Sequence, residues 1–198
     1  SMDKRCSAWQ RRKEATVKAT AHLEIMVKRI LSAGVDAKYV LMDSWFTLPA
    51  TVTALSEHID VIGMVKKTPK VKYVCNGQQM DLKSIYKNLK KRRGRAKILA
   101  SIVVTLKGGV AAKLVFVRDK RKKDWLALLT TDLELGSEDV VRIYGKRWDI
   151  EVFFKMAKQH LRLAKEIQSR DFDALVGHTS IVFLRYMFLT FLNRVEKD

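Results

Sequence analysis

The segment from Tyr39 to Val65 constrains the fold more than any other. YVLM is a short apolar run that ends on an acid, Asp43. Such a run, apolar at every position rather than at alternate ones, fits a strand buried on both faces. Leu48 to His58 then has helical character, with Pro49 suited to the first turn. DVIGMV, Asp60 to Val65, reads as a second buried strand. A helix is expected before this segment, over about Ala15 to Ala33, where Ala19, Leu23, Met26, Val27 and Ile30 make one apolar side and Gly34 fits the cap. Residues 3–14 read as a polar, basic tail. The order helix, strand, helix, strand indicates an α/β fold.

The pattern then changes. Val71 to Cys75 and Gln78 to Asp81 flank Asn76-Gly77, a hairpin signal. A short helix fits residues 82–90. Three strand-like runs follow: Ile98–Leu106, Lys113–Arg118 and Trp125–Thr131. Gly108-Gly109 and the stretch DKRKKD separate them. Three regions are expected: 1–65, an α/β part carrying Asp43; 66–133, a β-rich antiparallel insertion; and 134–198, C-terminal helices. Ser137 fits a helix N-cap before Glu138 and Asp139. The last helix, about Asp173 to Val195, is long and apolar enough to raise a membrane span. It is expected instead to be buried against a sheet.

Charge narrows the partners. Lys and Arg number 39 against 21 acidic residues, a net charge of +18. That excess points to a polyanion, nucleic acid before membrane. Lys87 to Lys97 (KNLKKRRGRAK) holds seven cations and no acid, and Lys90, Lys91, Arg92, Arg93 and Arg95 are candidate phosphate contacts. Two cysteines, Cys6 and Cys75, make neither a disulfide framework nor a zinc set. A reducing, cytoplasmic setting is the expectation.

YGKRWDIEVFFKMAKQHL, Tyr144 to Leu161, bears the chemistry. Laid on one helix, Tyr144, Arg147, Glu151 and Lys158 form a stripe, with Lys155 one turn after Glu151. Ile143, Ile150, Phe153, Phe154, Ala157 and Leu161 fall largely elsewhere. Ordinary amphipathicity with Arg147–Glu151 and Glu151–Lys155 ion pairs explains the stripe taken alone. A carboxylate among Ile150, Val152 and Phe153 is costly unless paired or metal-bound. Asp43, at the end of a strand, sits where α/β sheets bind ligands, or else serves as a turn residue. Asp43 and Glu151 together offer oxygen ligands to hard divalent cations. Two carboxylates are few for a metal pair; Asp36, Asp60 and Asp149 are further acids without a persuasive position. Trp45 and Phe46 are expected in the core, although an exposed Trp45 would suit base stacking.

These residues resemble one large group of bacterial insertion-sequence DDE transposases. Tyr144-x2-Arg147-x3-Glu151-x6-Lys158 is similar to that group's Y-x2-R-x3-E-x6-K signature. DSWF after an apolar strand resembles its second catalytic-aspartate motif. The resemblance runs from Asp3 to the last helix. It implies an RNase H-like catalytic core with a β-rich insertion, and Mg²⁺- or Mn²⁺-dependent cleavage and strand transfer at transposon ends. It also implies DNA as partner, a homodimer in the active complex and no membrane. By the same resemblance Asp43 and Glu151 are catalytic metal ligands, and Tyr144, Arg147 and Lys158 contact phosphates. The group carries a first catalytic Asp on an earlier strand, and only Asp3 precedes the helix here. The resemblance therefore implies the C-terminal part of a catalytic domain, inactive alone, with an open sheet edge. A non-catalytic DNA-binding module is the main alternative. A different RNase H-like nuclease and a membrane-surface protein rank below it.

Overall fold

A computed structural model describes residues 5–119, 124–163, 165 and 167–196. They fall into two compact units, Lys18–Arg147 and the described part of Ser1–Val17 with Trp148–Asp198. Asp3 and most of the DKRKKD turn lie outside the described residues.

In the larger unit the elements are α2 (Ala19–Ser32), β1 (Tyr39–Met42), α3 (Pro49–Ser56), β2 (Asp60–Val65), β3 (Lys72–Cys75), β4 (Gln78–Asp81), α4 (Leu82–Asn88), β5 (Ile98–Thr105), β6 (Ala111–Asp119), β7 (Asp124–Thr130) and α5 (Ser137–Gly145). The smaller unit has α1 (Ser7–Ala15), α6 (Trp148–Gln159) and α7 (Phe172–Val195).

All strands join one seven-stranded sheet in the order β1-β2-β7-β6-β5-β3-β4. Only β1 and β2 are parallel, with α3 as the crossover, and Met42 pairs with Gly63. Every other pairing is antiparallel. The strands of residues 66–133 do not form a sheet of their own, because β7 pairs with β2, placing Thr130 opposite Ile62.

Side chains alternate between two cores, as the period of a strand requires. Val61, Leu114, Phe116 and Leu129 face a layer built by α2, α3 and α4. Ile62, Val115, Val117 and Leu128 face α5 through Val140. Burial on both faces explains why these strands are apolar at consecutive positions. Local signals behave as expected at the turns. Asn76 and Gly77 both take positive φ, 49° and 76°, as a two-residue hairpin turn of this twist requires. Gly34, with φ 80°, ends α2.

Four expectations fail. The basic N-terminal tail is partly helical: α1 buries no residue, and Arg12 bonds Asp173 at 3.0 Å. Ser137 is not the cap of α5; Gly136 is, without a side-chain bond, while Glu138 and Asp139 do occupy the first turn. The helix carrying the stripe is interrupted. Lys146 N–H donates to Ile143 O and Arg147 N–H to Tyr144 O, both at 3.0 Å. These bonds reach three residues back, a 3₁₀ turn that ends α5 before α6 begins. Finally, α7 is not a buried helix. Val182 alone is fully buried, and Leu184, Met187, Phe188 and Phe191 are more than half exposed. It packs on α6 through Phe153, Ala157 and Leu161, and Phe153 meets the Phe183 and Tyr186 rings at 4.6 and 4.7 Å. By length and apolarity α7 meets the criteria for a membrane span, weak grounds for one.

Candidate nucleic-acid site

Asp43 leaves β1 at the rim formed by the C-terminal ends of the parallel pair β1 and β2. A tight turn holds it. Its Oδ1 accepts from the Trp45 N–H at 2.8 Å. Its carbonyl accepts from the Thr47 hydroxyl at 2.7 Å and from the Phe46 and Thr47 amides. The turn role and the rim position, weighed as alternatives from sequence, thus coexist. Thr47 is buried, and it lies directly over Gly63 of β2.

Trp45 corrects an expectation. It is not in the core; 72% of its surface is exposed. The Lys66 ammonium, just past the end of β2, sits 4.7 Å from its ring centroid. Phe46 does pack on the core.

The other acids considered from sequence lie elsewhere. Asp60 pairs in register with Tyr39, at the opposite end of β1 from Asp43, and accepts from the Thr131 hydroxyl. Asp36 precedes β1, and Asp149 belongs to α6. Among the described residues no group of three His, Cys, Asp or Glu is placed to hold a metal. Asp43 and Glu151 are carboxylates, the donor type that Mg²⁺ or Mn²⁺ takes.

Loop residues 132–135 set the start of α5. The Tyr39 hydroxyl donates to Asp132 Oδ2 at 2.7 Å. Asp132 Oδ1 accepts from the Glu134 and Leu135 amides at 3.1 Å. The Tyr39 hydrogen bond, with help from these amides, holds the Asp132 carboxyl below its ordinary range. Lys113 donates to the Leu133 and Leu135 carbonyls. At the far end of α5, Tyr144 packs on the second core, and the Arg147 guanidinium lies 5.8 Å from its ring centroid.

The remaining members of the stripe, Glu151, Lys155 and Lys158, share one face of α6. Phe153 and Ala157 occupy a different, buried face. Glu151 is exposed, so the burial cost expected of it does not arise. Ile150 and Phe154 are exposed as well.

The basic segment 90–97 leaves α4 and returns to β5. Lys90, Arg92, Arg93 and Arg95 are exposed. Lys91 is held differently: its ammonium sits 5.0 Å from the Tyr86 ring and donates to Lys87 O. Tyr86 stacks on Trp125 at 4.4 Å, and the Lys67 ammonium lies 4.0 Å from the Trp125 ring. Lys91, Arg92, Arg118, Tyr86 and Trp125 line a cavity of about 760 Å³. Sequence reasoning missed Arg118, Tyr86 and Trp125. They read as strand and helix residues, and only the sheet's register brings them to the basic loop.

An α/β unit with an acid at a strand-end rim and an exposed cationic loop, in a chain of net charge +18, fits a class that handles nucleic acid. The chain belongs to the transposase DDE domain family, whose model matches residues 6–188. The family is one of nucleic-acid phosphoryl-transfer enzymes, and its substrate is DNA. No curated protein matches the chain significantly, and no solved structure does.

Proposed function

We propose that Asp43 and Glu151 are acids of the DDE set of an insertion-sequence transposase with an RNase H-like core, acting in divalent-metal-dependent cleavage and strand transfer at the element's ends. One observation carries this most: Asp43 stands at the C-terminal rim of the parallel strand pair, the place where open α/β sheets put their chemistry. Membership of the transposase DDE domain family supports the reading.

Asp43 and Glu151 would hold Mg²⁺ or Mn²⁺, which stabilises the charge on attacking and leaving oxygens when bound. Asp43 enters with one oxygen oriented by the Trp45 amide, so its carboxylate arrives with little rotational freedom to lose. Tyr144, Arg147, Lys155 and Lys158 contact terminal phosphates, and Lys90, Lys91, Arg92, Arg93 and Arg95 contact the flanking backbone. The active complex is a homodimer, in the cytoplasm.

A non-catalytic DNA-binding module is the second reading. It is favoured by the absence, among the described residues, of any group of three His, Cys, Asp or Glu placed to hold a metal. Labelled duplex and Mn²⁺ separate the two. Metal-dependent nicking that disappears in Asp43→Asn and in Glu151→Gln, with DNA affinity retained, supports catalysis. Nicking that survives either change sinks the assignment, and tight binding without nicking supports the module.

A further inference from the structure

We propose that residues 90–97 form a preset cationic clamp for the phosphodiester backbone of duplex DNA, and that Arg118 is the positioning residue that braces it. The proposal rests on the DNA reading above.

Arg118 lies near the end of β6, paired across to Trp125 of β7. One residue there ties down three loop carbonyls. Its Nη2 donates to Gly94 O at 2.9 Å, its Nε to Ala96 O at 3.1 Å, and its amide to Lys97 O at 2.8 Å. At the other side of the loop the Arg92 amide donates to Leu99 O at 2.8 Å. Gly94 takes φ 75°, left-handed backbone that favours glycine. So a six-cation stretch, which by composition reads as a solvated run, is fixed at both ends and in the middle.

The brace is also economical in charge. Arg118 bonds carbonyls, not carboxylates, so it fixes the backbone without neutralising any side chain. Among the described residues no acid pairs with Lys90, Arg92, Arg93, Arg95 or Lys97. Bonds from an ionised donor are stronger than neutral ones. An unbraced loop would lose conformational freedom on meeting DNA; a braced one has lost it already, and that raises affinity. Exposed, unpaired, preset cations fit a rigid array of phosphates.

The test is duplex affinity against salt, by anisotropy, over about 50 to 200 mM NaCl. The triple change Arg92→Ala, Arg93→Ala, Arg95→Ala is expected to make the log–log salt slope shallower by about 2 to 3. Arg118→Met is expected to weaken binding roughly fivefold or more and to speed amide exchange over residues 94–97. Arg118→Lys restores part of the loss. In the triple background Arg118→Met has little further effect. Should Arg118→Met fail to fold, Gly94→Val, placed where nothing lies within 4 Å, disturbs the loop alone and is expected to reproduce the loss.

Equal weakening by Arg118→Met in both backgrounds overturns the brace, since Arg118 then contacts DNA itself. Unchanged exchange overturns it too. A triple variant with the wild-type slope removes the clamp. Wild-type chain that ignores duplex, or prefers vesicles of phosphatidylserine and phosphatidylcholine, refutes the DNA reading instead.

Discussion

Thr47 occupies the space that a side chain at position 63 would need: a Cβ on Gly63 would lie 2.3 Å from the Thr47 hydroxyl oxygen. The same hydroxyl bonds the Asp43 carbonyl. The bare backbone of β2 therefore lets the turn after β1 sit down on the sheet, and this seats Asp43. Gly63→Ala is expected to destabilise the unit by about 1 to 3 kcal/mol, as overpacking does. In a Thr47→Ala background the same change costs less, because two of the three nearest atoms are gone. Urea unfolding of the four-member cycle measures this; additivity would show that the two residues do not meet.

Trp45 is expected to act on ligand and not on stability. Trp45→Ala removes an exposed ring, so the urea midpoint stays within error of wild type. Affinity for a single-stranded oligonucleotide falls by about 1 to 3 kcal/mol if one base stacks there. Lys66→Met, which removes the cation over the ring, lowers it too. Equal affinity in both variants would leave Trp45 without a nucleic-acid role.

Lys158→Ala is expected to reduce the salt slope of duplex affinity by about 0.9, the share of one phosphate contact. An unchanged slope would make Lys158 a partner of its own helix.

The Tyr39–Asp132 bond gives stability a pH dependence with a definite sign. The Asp132 carboxyl titrates below its ordinary value of 3.8 in the folded chain, chiefly through Tyr39. Its contribution is present above that value and is lost as pH falls through the lower, folded one. Thermal midpoints taken downward from pH 5 should fall less in Tyr39→Phe than in wild type. Above pH 5 the variant should be weaker by about 1 kcal/mol. Parallel curves would show that the bond carries no charge preference.

Much of the larger unit was legible in the sequence because both faces of its sheet are covered. Burial on two sides writes an unbroken apolar run in β2, and β1, an edge strand only partly buried, still lies where YVLM places it. The hairpin at Asn76-Gly77 was legible for a local reason, two residues that tolerate positive φ. Nonlocal facts were not. Nothing near Asp124–Thr130 says that β7 pairs with β2. Arg118 reads as a strand-end cation until the fold carries residues 94–97 to it. The break between α5 and α6 has one sign, Gly145, and a 3₁₀ turn leaves the helical period of the flanking residues nearly intact. The helix α1 escaped because it has no apolar side to announce it; its tie to Asp173 is distant in sequence. Glu151 and Lys158 were legible as helix residues, but the exposure of Glu151 was not, because its apolar neighbours Ile150 and Phe154 are themselves exposed.

The seam between β2 and β7 sets an order of events in folding. β3–β4 and the meander β5–β6–β7 are built from neighbours in sequence and close short loops. Ile62 must wait for Thr130, and nonlocal pairings of this kind are slow. Until that zipper closes, β1 and β2 are a two-stranded ribbon with an open margin, and Gly63 has no neighbour on its far side. The sheet that carries Asp43 at its rim is thus closed by the pairing of longest sequence separation within it.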